Sequence, residues 1–306
     1  MEIYLPVAQT SVNWAMILGM GAAVGFLAGM LGVGGGFVMT PLLIFYGIPP
    51  AIAVATQASP IAAASLVGAL SQGTRQSVDF KLGFVLLCGG LVGSALGVLA
   101  FNILQRLGLL DFAVEFGYIV LLASIGALML KESVQVILAT RRGVQLPAHQ
   151  PGQHNWIHNL PFKLRFRRSR LYISAIPVVV LGLAVGIMTA ILGTGGAFML
   201  IPATIYLLRM RTDIAIGTSQ FQVFFVAAMT TLLHALTDHT VDIVLAFLLI
   251  LGGVLGAQFG VRIGSRLRGE EARAALAILI LGIAIRLLIE IVLTPSDVYS
   301  VVPETT

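Results

Sequence analysis

A chain of 306 residues that is 58% hydrophobic and only 10% charged, with a mean hydropathy of +0.99, carries more apolar surface than one soluble core can bury. The composition is that of an integral membrane protein. The net charge of +5 does not indicate a nucleic-acid partner, because most Lys and Arg fall in short loops, as the positive-inside rule requires. One cysteine, Cys88, excludes an intrachain disulfide or a cysteine-rich metal site and reads as a small packing residue.

The first apolar stretch starts near Asn13 with no Lys or Arg before it. It therefore lacks the basic region of a cleaved signal peptide and is expected to stay as a helix. The apolar runs are continuous, not alternating, which implies membrane helices and not a barrel. Helical segments are expected at 12–31, 36–46, 51–71, 80–104 and 112–131, then at 172–192, 196–209, 212–236, 241–264 and 272–293. The expected fold is all-α, a polytopic transmembrane helical bundle. Its parts are a first repeat (12–131), a basic cytoplasmic connector (132–171) ending in KLRFRRSR, a second repeat (172–293) and a polar tail (294–306).

The duplication is visible residue by residue. GFLAGMLGVGGGFVMTP (Gly25–Pro41) recurs 161 residues later as GIMTAILGTGGAFMLIP (Gly186–Pro202), matching Gly25, Gly32, Gly34, Gly35, Phe37 and Pro41 to Gly186, Gly193, Gly195, Gly196, Phe198 and Pro202. Thr56 falls opposite Thr218 with a shift of 162, and Val78, Asp79, Gly89, Gly90, Gly93 and Gly97 opposite Val241, Asp242, Gly252, Gly253, Gly256 and Gly260 with a shift of 163. Two units of five segments each follow, and an odd number inverts the second against the first. Charge agrees with the inversion. With the connector cytoplasmic, Arg75 and Lys81 lie inside and the uncharged Gly47–Pro50 turn outside; in the second unit Arg209 and Arg211 take the inside and Thr237–Val241, free of Lys and Arg, the outside. Arg262, Arg266, Arg268 and Arg273 also cluster inside, and both termini lie outside. The segments 36–46 and 196–209 are too short to span untilted, so they either tilt or re-enter as half-helices, which needs protein or water to satisfy their backbone.

Helices starting at Gly36 and Ala197 present unpaired N–H groups and a partial positive charge. Two such ends, with Gly34, Gly35, Gly36, Gly195 and Gly196 allowing close approach, would hold an anion without buried Lys or Arg. The competing reading is close helix packing through small residues. Thr56, Gln57 and Ser59, with Thr218, Ser219, Gln220 and Gln222, are polar groups in apolar helices, able either to hydrogen-bond an oxyanion or to bond between helices. GGLVGSALG and its counterpart GGVLGAQFG read as helix-crossing stripes, with Gln258 as a polar insertion that could face a pathway. Asp79 and Asp242 are expected to cap the helices after them. His234 is a hydrogen-bonded helix-end residue or a proton-coupling group; Arg286 and Glu290 are spaced to pair. His149, His154 and His158 sit in a polar loop that argues against a metal. No catalytic residue, cofactor or metal site is expected: HExxH, GxSxG and a P-loop are all absent.

LGVGGGFVMTPLL, repeated as LGTGGAFMLIPA, together with GTSQFQ (Gly217–Gln222) and GGVLGAQFG, resembles the sulfite exporter TauE/SafE family of transporters over about Gly19 to Leu267. The resemblance implies a bacterial inner-membrane carrier of sulfur-containing anions such as sulfite, thiosulfate or organosulfonates including sulfoacetate. It carries the glycine motifs onto Gly32, Gly34, Gly35, Gly36, Gly193, Gly195 and Gly196. The chain departs from the pattern at Ala197, opposite Gly36, and at TQASP, where a Thr-Ser pair is usual. The expected partners are a small anion and the lipid bilayer, with proton or sodium coupling left open; a passive channel or a scaffold for a partner enzyme are the other readings.

Overall fold

The computed structural model describes residues 2–31, 35–74, 77–141, 162–166, 168–169, 171–208, 210–264 and 269–293. In chain order a hairpin of β1 (Glu2–Leu5) and β2 (Thr10–Asn13) precedes α1 (Trp14–Leu31), α2 (Gly36–Phe45), α3 (Pro50–Thr74), α4 (Phe80–Arg106) and α5 (Leu110–Arg141). A second hairpin, β3 (Lys163–Phe166) and β4 (Leu171–Ser174), precedes α6 (Ala175–Leu192), α7 (Ala197–Tyr206), α8 (Thr212–Thr237), α9 (Ile243–Gly264) and α10 (Gly269–Leu293). The helices follow the ten expected segments, and α5 continues to Arg141. The antiparallel hairpins were not anticipated. Each packs its apolar face on the bundle, Leu5 and Val12 in one core cluster and Phe166 and Ile173 in the other.

Six described helices are long and apolar enough to cross a membrane. Their outward faces are apolar, with Phe84, Val92, Leu96 and Leu99 on α4 and Phe247, Leu255 and Phe259 on α9 exposed. This is a multi-pass helical membrane protein. The short helices α2 and α7 have 10 residues each and rise about 15 Å, half of a hydrocarbon core about 30 Å thick.

The packing repeats element by element. α1 lies against α9 as α6 lies against α4; α3 packs on α8, α5 on α10, α2 on α3 and α7 on α8. The glycine stripes explain the closest crossings. A Cβ on Gly89, Gly93 or Gly97 would strike the backbone of Val179, Leu183 or Ile187, and one on Gly252, Gly256 or Gly260 that of Leu18, Ala22 or Phe26. The glycines of the two sets are related by the 163-residue shift and their backbone partners by the 161-residue shift, so the stripes are contact surfaces, as small-residue spacing predicts.

Hydrogen bonds assign ends to the bundle. Lys81 Nζ donates to the Arg165 carbonyl at 3.3 Å, placing the start of α4 beside the hairpin before α6. At the other end, Asn13 N–H donates to Tyr46 Oη at 3.2 Å and Val7 N–H to Asp242 Oδ2 at 3.1 Å. The N-terminal hairpin therefore shares an end with the α2–α3 turn and the start of α9, the grouping that the charge pattern implies.

Candidate functional site

The two glycine turns meet. α6 stops at Gly193, and Gly193, Gly195 and Gly196 have φ of +65°, +71° and +69°, the left-handed region that a side chain disfavours. Space is equally restrictive. A Cβ on Gly193 would lie 2.6 Å from the Val54 carbonyl oxygen, and one on Gly195 would run into Ile61. From the other half, a Cβ on Gly36 would lie 2.8 Å from the Thr194 carbonyl oxygen and would also strike Ile61. Ile61 of α3 thus sits between the first residue of α2 and the turn before α7. One residue further on, Phe37 and Phe198 stack with ring centroids 3.8 Å apart and planes 15° apart.

No side chain caps either helix: Gly35 before α2 and Gly196 before α7 offer none. The two short helices therefore begin on either side of Ile61 with their leading N–H groups unsatisfied by side chains. Gly35 itself packs on Val24 and Ala28 of α1, and Ala197 is buried with its N–H bonded to the Gly195 carbonyl at 2.9 Å. Gly34, with Gly32, lies outside the described residues.

The expected polar residues divide by what they touch. Thr218 Oγ1 accepts from Asp79 N–H at 3.0 Å, and Thr56 Oγ1 accepts from Asp242 N–H at 3.0 Å. These are bonds between the two repeats. Asp79 and Asp242 cap α4 and α9, accepting from Leu82 N–H at 3.3 Å and Leu245 N–H at 3.1 Å. Their second oxygens reach further: Asp79 Oδ2 accepts from Ser169 N–H at 2.9 Å and Ser169 Oγ at 2.8 Å, matching the Asp242 to Val7 bond. Each repeat's Asp is gripped by a threonine and a hairpin of the other.

Gln57, Ser219 and Gln222 are different. All three are buried, yet Gln57 Oε1, Ser219 Oγ and both amide atoms of Gln222 lack a hydrogen-bond partner. Gln57 lies between Val54 and Ile61 on one face of α3 (i, i+4 to Ile61), the face that meets the glycine turns. Ser219 is its counterpart under the 162-residue shift. Gln222 is turned toward α4, its Nε2 2.5 Å from where Gly90 would carry a Cβ. An unpaired buried amide or hydroxyl in so apolar a setting costs about 1–3 kcal/mol, and a polar ligand would remove that cost. Ser59 and Gln220 are half-buried, Gln220 against Gly68.

His234 is fully buried, with Nδ1 3.2 Å from Asp238 Oδ2 and Nε2 3.1 Å from the Ala190 carbonyl oxygen. Tyr118, which the sequence did not single out, donates from Oη to the Leu192 carbonyl, so two side chains hold the end of α6 just before the glycine turn. Nothing in an apolar helix marks one tyrosine for that role. Gln258 is exposed on α9. Arg286 does not pair with Glu290; its guanidinium lies 4.2 Å from the Phe45 ring centroid. His149, His154 and His158 lie outside the described residues. Among the described residues no group of three or more His, Cys, Asp or Glu could hold a metal.

Comparison with known proteins accords with this architecture. The chain is 32% identical over 271 residues to the "Probable membrane transporter protein" of Xylella fastidiosa (strain 9a5c), covering 86% of this chain and 89% of that one. It is 23% identical over 291 residues to "Probable membrane transporter protein YunE" of Bacillus subtilis (strain 168), covering 91% and 98%. It is 29% identical over 278 residues to "Probable membrane transporter protein YjnA" of the same strain, covering 89% and 98%. No solved structure gives a significant match. Residues 17–287, from the first helix to the last, match the family described as sulfite exporter TauE/SafE, and with the paired glycine turns inside that span the chain belongs to the TauE/SafE family of membrane transporters.

Proposed function

We propose that this transporter carries a small sulfur-containing anion, such as sulfite, thiosulfate or an organosulfonate like sulfoacetate, across the bacterial inner membrane. The anion is held where the N-termini of α2 and α7 converge. The observation that carries this reading is the juxtaposition of two helix starts without side-chain caps, Gly36 beside Thr194 across Ile61, with buried and unpartnered polar atoms on Gln57, Ser219 and Gln222 in the adjoining helices. Helix N-termini, amides and hydroxyls stabilise an oxyanion without the desolvation cost of a buried cation. Among the described residues no Lys or Arg is buried, so the site attracts through dipoles and lets the anion go, as a carrier must.

The two repeats are read as inverted across the membrane, and transport as alternating access in which they exchange roles around the fixed site. Uptake of radiolabelled sulfite, thiosulfate, taurine and sulfoacetate by everted vesicles identifies the cargo. Counterflow of that anion in proteoliposomes is the expected sign of a carrier; flux without counterflow would make the protein a channel. No flux of any of the four compounds would overturn the reading.

A further inference from the structure

Each ring nitrogen of His234 faces an acceptor, which gives the His234–Asp238 pair a place for one proton more than a neutral imidazole beside a carboxylate holds. His234 Nε2 lies 3.1 Å from the Ala190 carbonyl oxygen and Nδ1 3.2 Å from Asp238 Oδ2. A carbonyl and a carboxylate both only accept. Both contacts are hydrogen bonds when both ring nitrogens are protonated, giving an imidazolium against a carboxylate, or when the Asp238 carboxyl carries the proton and donates it to Nδ1. In both forms the pair holds one proton more than a neutral imidazole beside a carboxylate. His234 has no solvent exposure, and the Asp238 side chain has 7%.

Among the described residues, Asp238 is the ionisable side chain that His234 pairs with. Phe101 of α4 presses edge-on against the imidazole, centroids 4.6 Å apart, and the next ionisable residue of α4, Arg106, is exposed at its end. α3 and α6 carry no ionisable side chain, and α7 only Tyr206, its last residue. α5 contributes Tyr118, whose hydroxyl is committed to the Leu192 carbonyl, and carries Asp111 and Glu115 in the two turns before it. His239, after Asp238, is exposed. The duplicated fold does not need an ionisable group here, because the 162-residue shift that matches Thr56 to Thr218 places Gln72 opposite His234.

What the proton holds is the approach to the anion site. Ala190 lies three residues before Gly193, and its carbonyl is one of the last in α6, which have no intrahelical donor. A cation is favoured at such an end. We propose that His234 and Asp238 form a proton-binding site whose occupancy fixes the Gly193–Gly196 turn, so that proton movement is coupled to anion movement; the coupling, though not the site, rests on the carrier reading above. A proton entering past Asp238 sits between Nδ1 and Oδ2, and the imidazolium Nε2–H holds Ala190. Once one proton is lost to water, the neutral ring can donate to only one of its two acceptors, and the tautomer that keeps Nδ1–H on the Asp238 carboxylate turns the Nε2 lone pair toward the Ala190 carbonyl oxygen. Nε2 then no longer holds Ala190.

The test uses full-length protein with Cys88→Ser and a reporter at the turn, Thr194→Cys. Maleimide labelling in membranes is compared at about pH 5.5 and about pH 8.5, on either side of the ordinary imidazole range. Rates are normalised to a Leu107→Cys reporter on the exposed α4–α5 turn, so the thiol's own ionisation cancels. The expected result is labelling about fivefold or more faster at the higher pH, and no pH dependence after either His234→Gln or Asp238→Asn. In proteoliposomes with 35S-labelled sulfite, the ratio of uptake driven by a pH gradient to counterflow falls by about fivefold or more in both variants. pH-independent labelling of the His234 protein, or a pH response that survives in a folded variant, overturns the proposal. So does an unchanged ratio of gradient-driven uptake to counterflow. If labelling responds to pH as expected but sulfite shows no counterflow, the proton site stands and the sulfite reading fails.

Discussion

Gly195 is the most constrained residue of the site. With φ at +71° and Ile61 filling the space a Cβ would take, Gly195→Val adds backbone strain of about 1–3 kcal/mol and displaces the side chain that separates the two turns. Transport is expected to be lost while the protein remains in the membrane; full activity would remove the turn from the mechanism. Gln222 gives a sharper separation of fold from function. Both amide atoms are unpartnered, so Gln222→Leu is expected to leave thermal unfolding of the ligand-free protein unchanged or raised while anion uptake falls. A marked loss of stability would show that the amide serves the fold. Thr218→Val predicts the reverse pattern: it strips the buried Asp79 N–H of its acceptor and is expected to cost about 1–3 kcal/mol in denaturation. Of the polar residues singled out in the sequence, Thr56 and Thr218 therefore have identified bonds between repeats, whereas Gln57, Ser219 and Gln222 retain unpaired atoms. Sequence spacing could not separate these groups, because a hydroxyl's partner is set by an element more than a hundred residues away.

At the scale of elements, the glycine stripes and the two hairpins matter most. Gly93→Leu or Gly256→Leu places side-chain atoms where the backbones of Leu183 and Ala22 lie, and the α4–α6 and α1–α9 pairs cannot close. Loss of the folded protein is expected for both, measured by size-exclusion monodispersity in detergent, whereas Gly19→Leu and Gly282→Leu, with open space around them, are expected to be tolerated. The stripes were legible because a four-residue period in an apolar helix admits few explanations. The hairpins were not. Their short strands, such as TSVN and KLRF, are too brief to show an alternating pattern, and the carboxylates of Asp242 and Asp79 that hold their turns come from distant helices.

For the whole molecule, the expected topology places both termini outside and Arg142 inside, and cysteine-accessibility labelling checks it; a cytoplasmic C-terminus would overturn the inversion. The family was legible only as a resemblance of motifs, whereas length, apolar composition and the recurrence of Gly25–Pro41 as Gly186–Pro202 by themselves determined a bundle of membrane helices with an internal repeat. These follow from local physics: a bilayer demands continuous apolar helices, and a run of glycines before a proline-bearing short helix marks a break at depth. Only the tertiary structure decided that the two turns meet across Ile61, that Phe37 stacks on Phe198, and that His234 and Tyr118 anchor the end of α6. Those contacts join residues far apart in sequence, and the choice among the many apolar faces available is made by how the helices cross, which no single helix encodes.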